Sequence, residues 1–253
     1  MYAGAHCPDF RFVATSLIPL CDRSVWRETV SVSWFFYDHF VDTLTTKRSA
    51  LSFLPEEMDY LSLRTAARNC KGCDLYKTAT QTVFGEGQKG AKAMLIGEQP
   101  GDEEDKQGHP FVGPAGKLLD RALVNAGIDR AAIYVTNAVK HFKWKPVGKR
   151  RLHEKPKAGE INACRPWLTA EIEGLKPKII VCLGATAAQT LRGPTFRVTQ
   201  TRGRWFDYEN GEKLIATIHP SAILRTPDVK READYRHFVA DLTLVAEAIA
   251  KLD

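Results

Sequence analysis

Several features are missing from this chain, and each absence excludes something. No apolar run is long enough to cross a bilayer, which excludes a helical membrane protein. The first twenty residues have neither a basic start nor a continuous apolar core, so no secretory signal is expected and the cytoplasm is the expected compartment. No G-x-G-x-x-G turn is present, which weakens a dinucleotide-binding reading. The single C-x-x-C has no second copy, so a self-contained zinc ribbon is not expected. No repeat of about 20–50 residues is visible, so solenoids and propellers are not expected.

What is present suits one full core with a small extra segment: 253 residues, 44% hydrophobic and 26% charged. Lys and Arg number 36 against 30 Asp and Glu, a balance of +6 that permits a polyanionic partner. Six cysteines in a cytoplasmic chain favour metal binding or structural thiols over disulfides. Residues 1–56 read as an N-terminal appendage, and residues 57–253 as the main domain. Within the appendage, Cys7 and Cys21 read as plain thiols, and Val30 to Phe40 fits a strand or a buried helix equally. Nothing calls for an oligomer, and a monomer is the expected state.

The main domain alternates short apolar runs with helical spacing. Ala93 to Ile96, Ile133 to Thr136, Ile179 to Leu183 and Leu214 to Ile218 read as buried strands. Helices are expected over Leu61 to Cys70, over Leu118 to Ala126 with Gly127 as its cap, over Trp167 to Ile172, through Leu191, and over Tyr235 to Leu252. The alternation predicts an α/β fold with three layers, α/β/α, around a central mostly parallel sheet. Cys182 falls inside a strand and reads as core.

In a parallel sheet the strand ends share one rim, where ligands sit. Three of these ends present Glu98 and Gln99, Asn137, and His219. An amide both donates and accepts, a histidine can donate to an oxygen, and a carboxylate can oppose a developing cation. With Phe111 as a flat face, they describe a pocket for a planar, hydrogen-bonding ring.

Between Lys140 and Lys157 lie eight basic residues and one acid, Glu154, with Phe142 and Trp144 interleaved. Cations counter phosphates and aromatics stack on bases, so the run suits single-stranded nucleic acid; a solvated basic face is the alternative. Within it, Lys149, Arg150 and Arg151 precede His153, and cationic neighbours disfavour the protonated imidazole and keep it nucleophilic. Cys70-Lys71-Gly72-Cys73 can turn two thiolates onto one metal centre, as half a zinc site, a redox pair or two ligands of an iron–sulfur cluster.

From Leu61 to Asp253, roughly three quarters of its length, the chain resembles the iron–sulfur uracil-DNA glycosylases of family 4, and within them the UdgX type. The resemblance rests on G-E-Q-P-G-D-E-E-D from Gly97, P-F-V-G-P-A-G from Pro110 and T-N-A-V-K-H from Thr136. It continues in K-R-R-L-H from Lys149, A-C-R-P-W from Ala163 and H-P-S from His219. It implies a [4Fe–4S] cluster held by Cys70, Cys73, His141 and Cys164. His141 stands where family 4 usually has cysteine but agrees with the UdgX type, and imidazole can replace thiolate on iron. Cys182 is the rival fourth ligand. The gap from His141 to Cys164 exceeds the usual family 4 spacing, and the basic segment accounts for the excess.

The resemblance further implies uracil-containing DNA as partner and free uracil as product. Phe111 would face the ring, Asn137 would read the Watson–Crick edge, and Gln99, Gly101 and Asp102 would line the pocket. His219 would support O2, and Glu98 would oppose the cationic sugar or orient the nucleophile. Lys149, Arg150, Arg151 and Ser221 would meet DNA. In the UdgX type the histidine of this loop, here His153, attacks C1′ and stays bonded; Leu152 stands where the type commonly has isoleucine. The rival expectations are a multi-turnover glycosylase, a non-catalytic uracil-DNA binding module, and a nucleotide-binding or redox protein.

Overall fold

The computed structural model describes residues 48–252. The readings of Cys7, Cys21 and Val30–Phe40 fall outside those residues. The strands are β1 (Glu86–Gly87), β2 (Ala93–Gly97), β3 (Tyr134–Asn137), β4 (Trp144–Val147), β5 (Arg150–His153), β6 (Ile179–Leu183), β7 (Trp205–Asp207) and β8 (Lys213–Thr217). The helices are α1 (Tyr60–Ala67), α2 (Asp102–Gln107), α3 (Pro114–Ala126), α4 (Ala158–Leu175), α5 (Ala185–Arg192), α6 (Val198–Thr201), α7 (Pro220–Arg225) and α8 (Asp228–Ala250).

Six strands form one sheet in the order β1-β3-β2-β6-β8-β7. The inner four run parallel, and β1 and β7 close the edges antiparallel. Strand side chains alternate between faces, so β2 splits its apolar set. Ala93 and Leu95 meet Leu119 and Leu123 of α3 and Phe238 and Leu242 of α8. Met94 and Ile96 meet Leu168 and Ile172 of α4 and Ala187 and Ala188 of α5. Each fully buried side chain of this kind contributes about 1.5–3 kcal/mol. The result is the expected three-layer α/β/α fold. Cys182 is fully buried in β6, as its place in an apolar run required.

Elements differ from expectation where punctuation misled. Helix α4 extends well beyond Trp167–Ile172 in both directions and carries Pro166 in its interior. A proline there forfeits a backbone hydrogen bond, but Ala163, Cys164, Trp167 and Leu168 are all buried around it and hold the helix together. Helix α2 starts at Asp102 with Gly101 as its N-cap, and Glu104 accepts from the Gly101 N–H at 3.1 Å. The basic segment is an ordered antiparallel hairpin of β4 and β5, turning at Gly148 with φ 57°.

A third cluster lies beside the sheet. Ala50, Leu63, Ala67, Phe84, Val139 and Trp167 surround Cys70, Cys73 and Cys164. A Cβ on Gly72 would come 2.5 Å from the Ala50 nitrogen, so the C-x-x-C turn closes only with glycine there.

Candidate active site

The rim of the parallel strands is where the strand order switches sides of β2, and a cleft opens there. It measures about 430 Å³ and is lined by Gln99, Phe111, Asn137, His153 and His219, among others. A second cleft of about 620 Å³ adjoins it and shares Gln99, His153, His219, Ser221 and Arg225. Glu98 faces the second cleft.

The floor of the first cleft depends on Gly97. A Cβ there would lie 2.3 Å from Asn137 Oδ1 and 2.7 Å from Phe111 Cζ. The phenyl ring and the amide therefore share the space above a bare backbone. Phe111 adopts φ 59°, a left-handed conformation that costs a non-glycine residue on the order of 1–3 kcal/mol. That backbone delivers its ring to the cleft, stacked near His219 with 6.2 Å between centroids.

Asn137 is 3% exposed, and among the described residues no group hydrogen-bonds its side-chain amide. Its backbone carbonyl is held by Lys140 Nζ at 2.7 Å. A buried amide with both functions free is set to pair with something that enters the cleft.

His219 caps α7, and its Nδ1 accepts from the Ser221 N–H at 3.1 Å and lies 2.8 Å from Ser221 Oγ. An Nδ1 that accepts has no proton, so the ring hydrogen sits on Nε2 as a donor. Burial, aided by Arg225 and His153, lowers the His219 pKa to about 4 and keeps the ring neutral.

His153 ends β5 with Nε2 3.5 Å from Glu98 Oε1. Thr186 donates to the other oxygen of Glu98 and fixes that carboxylate. Burial lowers the His153 pKa; Glu98 opposes this and Arg225 reinforces it. The direction agrees with the sequence reading, but the cause is burial and a cation across the cleft, not the flanking Lys149, Arg150 and Arg151.

The hairpin carrying His153 is tied down at both ends. Gln99 Nε2 donates to the carbonyls of Lys143 and Glu154 at 3.1 Å each, and Gln99 Oε1 accepts from the Lys143 N–H. Its amide thus serves the hairpin. Arg151 donates to Asp102 at 2.5 Å and to fully buried Asp105 at 2.6 Å, and lies over the Phe142 and Trp144 rings. Arg151 and Asp102 are therefore engaged with each other. Lys149 and Arg150 are exposed near the hairpin turn. Ser221 faces both clefts while bonding His219.

Other members of the basic run are not surface charges. Lys140 is fully buried, its Nζ 2.5 Å from Glu171, and Lys143 pairs with Glu160 at 3.0 Å. Phe142 is 1% exposed and is not free to stack on a base. Sequence reasoning also passed over Arg225 and Thr186. Arg225 stands four residues after Ser221, a helical spacing that puts both on one side of α7 and could have been read. Thr186 had no local signal.

The thiols of Cys70, Cys73 and Cys164 are free and buried. Trp167 Nε1–H points at Cys70 Sγ at 3.1 Å, and the Lys140 N–H at Cys164 Sγ at 3.2 Å. Such donors suit thiolate ligands of a metal. Burial raises the Cys164 pKa to about 12, so only a bound cation would displace its proton. Thr82 Oγ1 donates its one hydrogen to the Ala67 carbonyl, so at 2.9 Å it must accept from His141 Nε2–H. That leaves His141 Nδ1 with a free lone pair, the form a metal needs. Among the described residues no three such groups converge as closely as a single ion requires. Three sulfurs and one imidazole are donors that either a structural zinc ion or an iron–sulfur cluster accepts.

Residues 84–243 match the uracil DNA glycosylase superfamily. The chain belongs to that superfamily. Among its relatives is a type-4 uracil-DNA glycosylase of Thermotoga maritima, 40% identical over 171 residues, covering 67% of this chain and 84% of that one. Another, from Saccharolobus solfataricus, is 38% identical over 191 residues, covering 71% and 85%. A third, from Archaeoglobus fulgidus, is 36% identical over 171 residues, covering 65% and 82%. In this superfamily member every residue of the two clefts discussed above falls within the matched span. No helix among the described residues is long and apolar enough to cross a membrane.

Proposed function

We propose that this protein excises uracil from DNA and then keeps the DNA, through a bond from His153 to C1′ of the emptied site. The observation that carries the reading is the convergence of Asn137, Phe111, His219 and His153 on one cleft. Residues 57–253 are the unit assigned to this work.

The flipped uracil stacks on Phe111 and pairs through O4 and N3–H with the free amide of Asn137. Cytosine offers a donor at the same edge and leaves that amide mispaired. As the C1′–N1 bond breaks, its electron pair goes to uracil, and the His219 Nε2–H donates to O2 as negative charge grows. Glu98 opposes the positive charge on the sugar. The lone pair of neutral His153 then attacks C1′. The ring proton is shed to water, and the departing uracil takes one up, so no water is consumed overall. A conventional glycosylase would place water in that step and turn over. Single-stranded DNA is the favoured substrate, because no pairing has to be broken to flip the base.

Cys70, Cys73, His141 and Cys164 would hold a [4Fe–4S] cluster, whose contribution is to cross-link distant segments of the chain. The hydrogen bonds to Cys70 and Cys164 and the tautomer of His141 support this set over one containing Cys182.

The test is a uracil-containing single-stranded oligonucleotide run with the protein on a denaturing gel. A retarded band, absent in His153→Ala, supports the bond. Abasic DNA with no retarded band supports the conventional enzyme, and intact oligonucleotide supports a binder only. A folded preparation that is colourless and free of iron overturns the cluster.

A further inference from the structure

Asn137 is buried, and no group among the described residues hydrogen-bonds its side-chain amide. Its aim into the cleft must therefore come from the main chain that carries it. Side chains alternate along a strand, so Val135 and Asn137 of β3 share one face, and Tyr134 and Thr136 the other. Val135 packs in the same cluster as Phe111, and Tyr134 packs with Leu168 and Ile172 of α4. On that second face, away from the amide, lies a closed polar network. The Lys140 ammonium is fully buried and has three N–H groups. It donates to Thr136 Oγ1 at 2.6 Å, to Glu171 at 2.5 Å and to the Asn137 carbonyl at 2.7 Å. Glu171 in turn accepts from the Gly85 N–H at 3.1 Å and from the Tyr134 and Thr136 hydroxyls at 2.9 Å each. The Lys140 N–H also points at Cys164 Sγ at 3.2 Å, so this residue is held through side chain and backbone alike.

We propose that Lys140, braced by Glu171, is a positioning residue for the Asn137 amide and so a determinant of base selectivity. This rests on the reading of Asn137 as the group that pairs with uracil. The peptide after Asn137 is pinned on both edges. The Ala138 N–H donates to the Gly97 carbonyl at 2.9 Å, and the Asn137 carbonyl accepts from Lys140. Fixing that plane fixes the direction in which the Asn137 side chain leaves the strand. The amide itself lies above bare Gly97, where a Cβ would come 2.3 Å from its Oδ1. Without the ammonium the plane keeps one anchor. The amide then loses the alignment that separates uracil, with its O4 acceptor and N3–H donor, from cytosine, whose edge has the reverse pattern. Lys140 touches no substrate and acts only through Asn137.

The experiment measures binding, by fluorescence anisotropy, to single-stranded oligonucleotides carrying one 2′-fluoro-2′-deoxyuridine or, in its place, one 2′-fluoro-2′-deoxycytidine, both of which resist excision. The readout is the ratio of the two affinities, from which any unfolded fraction cancels. Lys140→Met keeps the N–H toward Cys164 and should lower the ratio by about tenfold. Asn137→Ala should lower it by a similar factor, and Lys140→Met should cost little more in that background. Lys140→Met paired with Glu171→Leu removes the stranded charge, so stability should partly return while the ratio stays low. If Lys140→Met alone does not fold, the paired variant carries the test. A ratio that keeps its unaltered value in Lys140→Met, or returns to it in the paired variant, would make the network merely structural and overturn the proposal. Losses that add to those of Asn137→Ala would do the same. If the unaltered protein binds both oligonucleotides alike, the base reading of the cleft fails; if it prefers uracil and the Lys140 variants do too, the positioning role fails alone.

Discussion

The basic residues around the cleft divide into two groups. Lys140, Lys143 and Arg151 each meet a carboxylate and are largely withdrawn from solvent. Lys149, Arg150, Lys155 and Arg225 meet none among the described residues and face solvent. In sequence most of them belong to a single run. The first group shapes the site: Lys140 fixes the Asn137 carbonyl, and Arg151 latches the strand that carries His153. The second group is available to phosphates. A charge count therefore measures two quantities at once, internal bracing and attraction to a polyanion.

The sharpest way to break this division is Lys140→Met. It leaves Glu171, 1% exposed, with its charge unmatched. Removing one partner of a buried pair costs about 3–5 kcal/mol. Gly85, Tyr134 and Thr136 still donate to that carboxylate, which favours the lower end. Urea denaturation measures the loss, and pairing the change with Glu171→Leu should recover part of it. A loss below about 1 kcal/mol would place Lys140 with the surface cations.

Arg151→Gln should leave a folded protein whose hairpin has lost its anchor on Asp102 and Asp105. Misplacing a reacting group by about 1 Å costs on the order of a hundredfold in rate. Single-turnover kinetics should show that drop for the proposed His153 step, with the salt dependence of DNA binding unchanged. A changed salt slope with a normal rate would make Arg151 a phosphate contact instead.

The two imidazoles allow a smaller test through pH. Burial holds His219 neutral down to about pH 4, and the His153 pKa is also lowered. The contribution of neutral His219 should persist below pH 6.5 and fall as pH drops through about 4, and that of His153 should also titrate below 6.5. Stability should weaken over the same window, because the unfolded histidines take up protons from about pH 6.5 and the folded ones do not. A pH–rate profile with its acid limb centred at 6.5 would contradict the lowered pKa of both rings.

The sheet was legible because its inner strands are continuous apolar runs, and β6 was readable to the residue. The rim followed from them, so Asn137 and His219 could be placed from sequence. The hairpin was not legible: Trp144 to His153 is rich in charge, and its order comes from Gln99, Asp102 and Asp105, far away in the chain. For the same reason sequence left open whether Gln99 meets the pocket through its backbone or its amide; it lines both clefts, while its amide hydrogen-bonds Lys143 and Glu154. Pro166 hid most of α4, because a local breaker signal carries no information about the burial that overrides it.

The smallest effect belongs to the unpaired cations at the hairpin turn. Lys149→Gln and Arg150→Gln remove exposed charges that brace nothing. Stability should change by less than about 0.5 kcal/mol. Each should weaken binding to single-stranded DNA by about two- to threefold, uniformly across sequences, and reduce the salt slope by about 0.7 if it meets one phosphate. The informative control is the rate after binding, which should match the unaltered protein at saturating DNA. A rate loss comparable to that of Arg151→Gln would mean that the turn itself positions His153, and the division between bracing and attracting cations would not hold within β5.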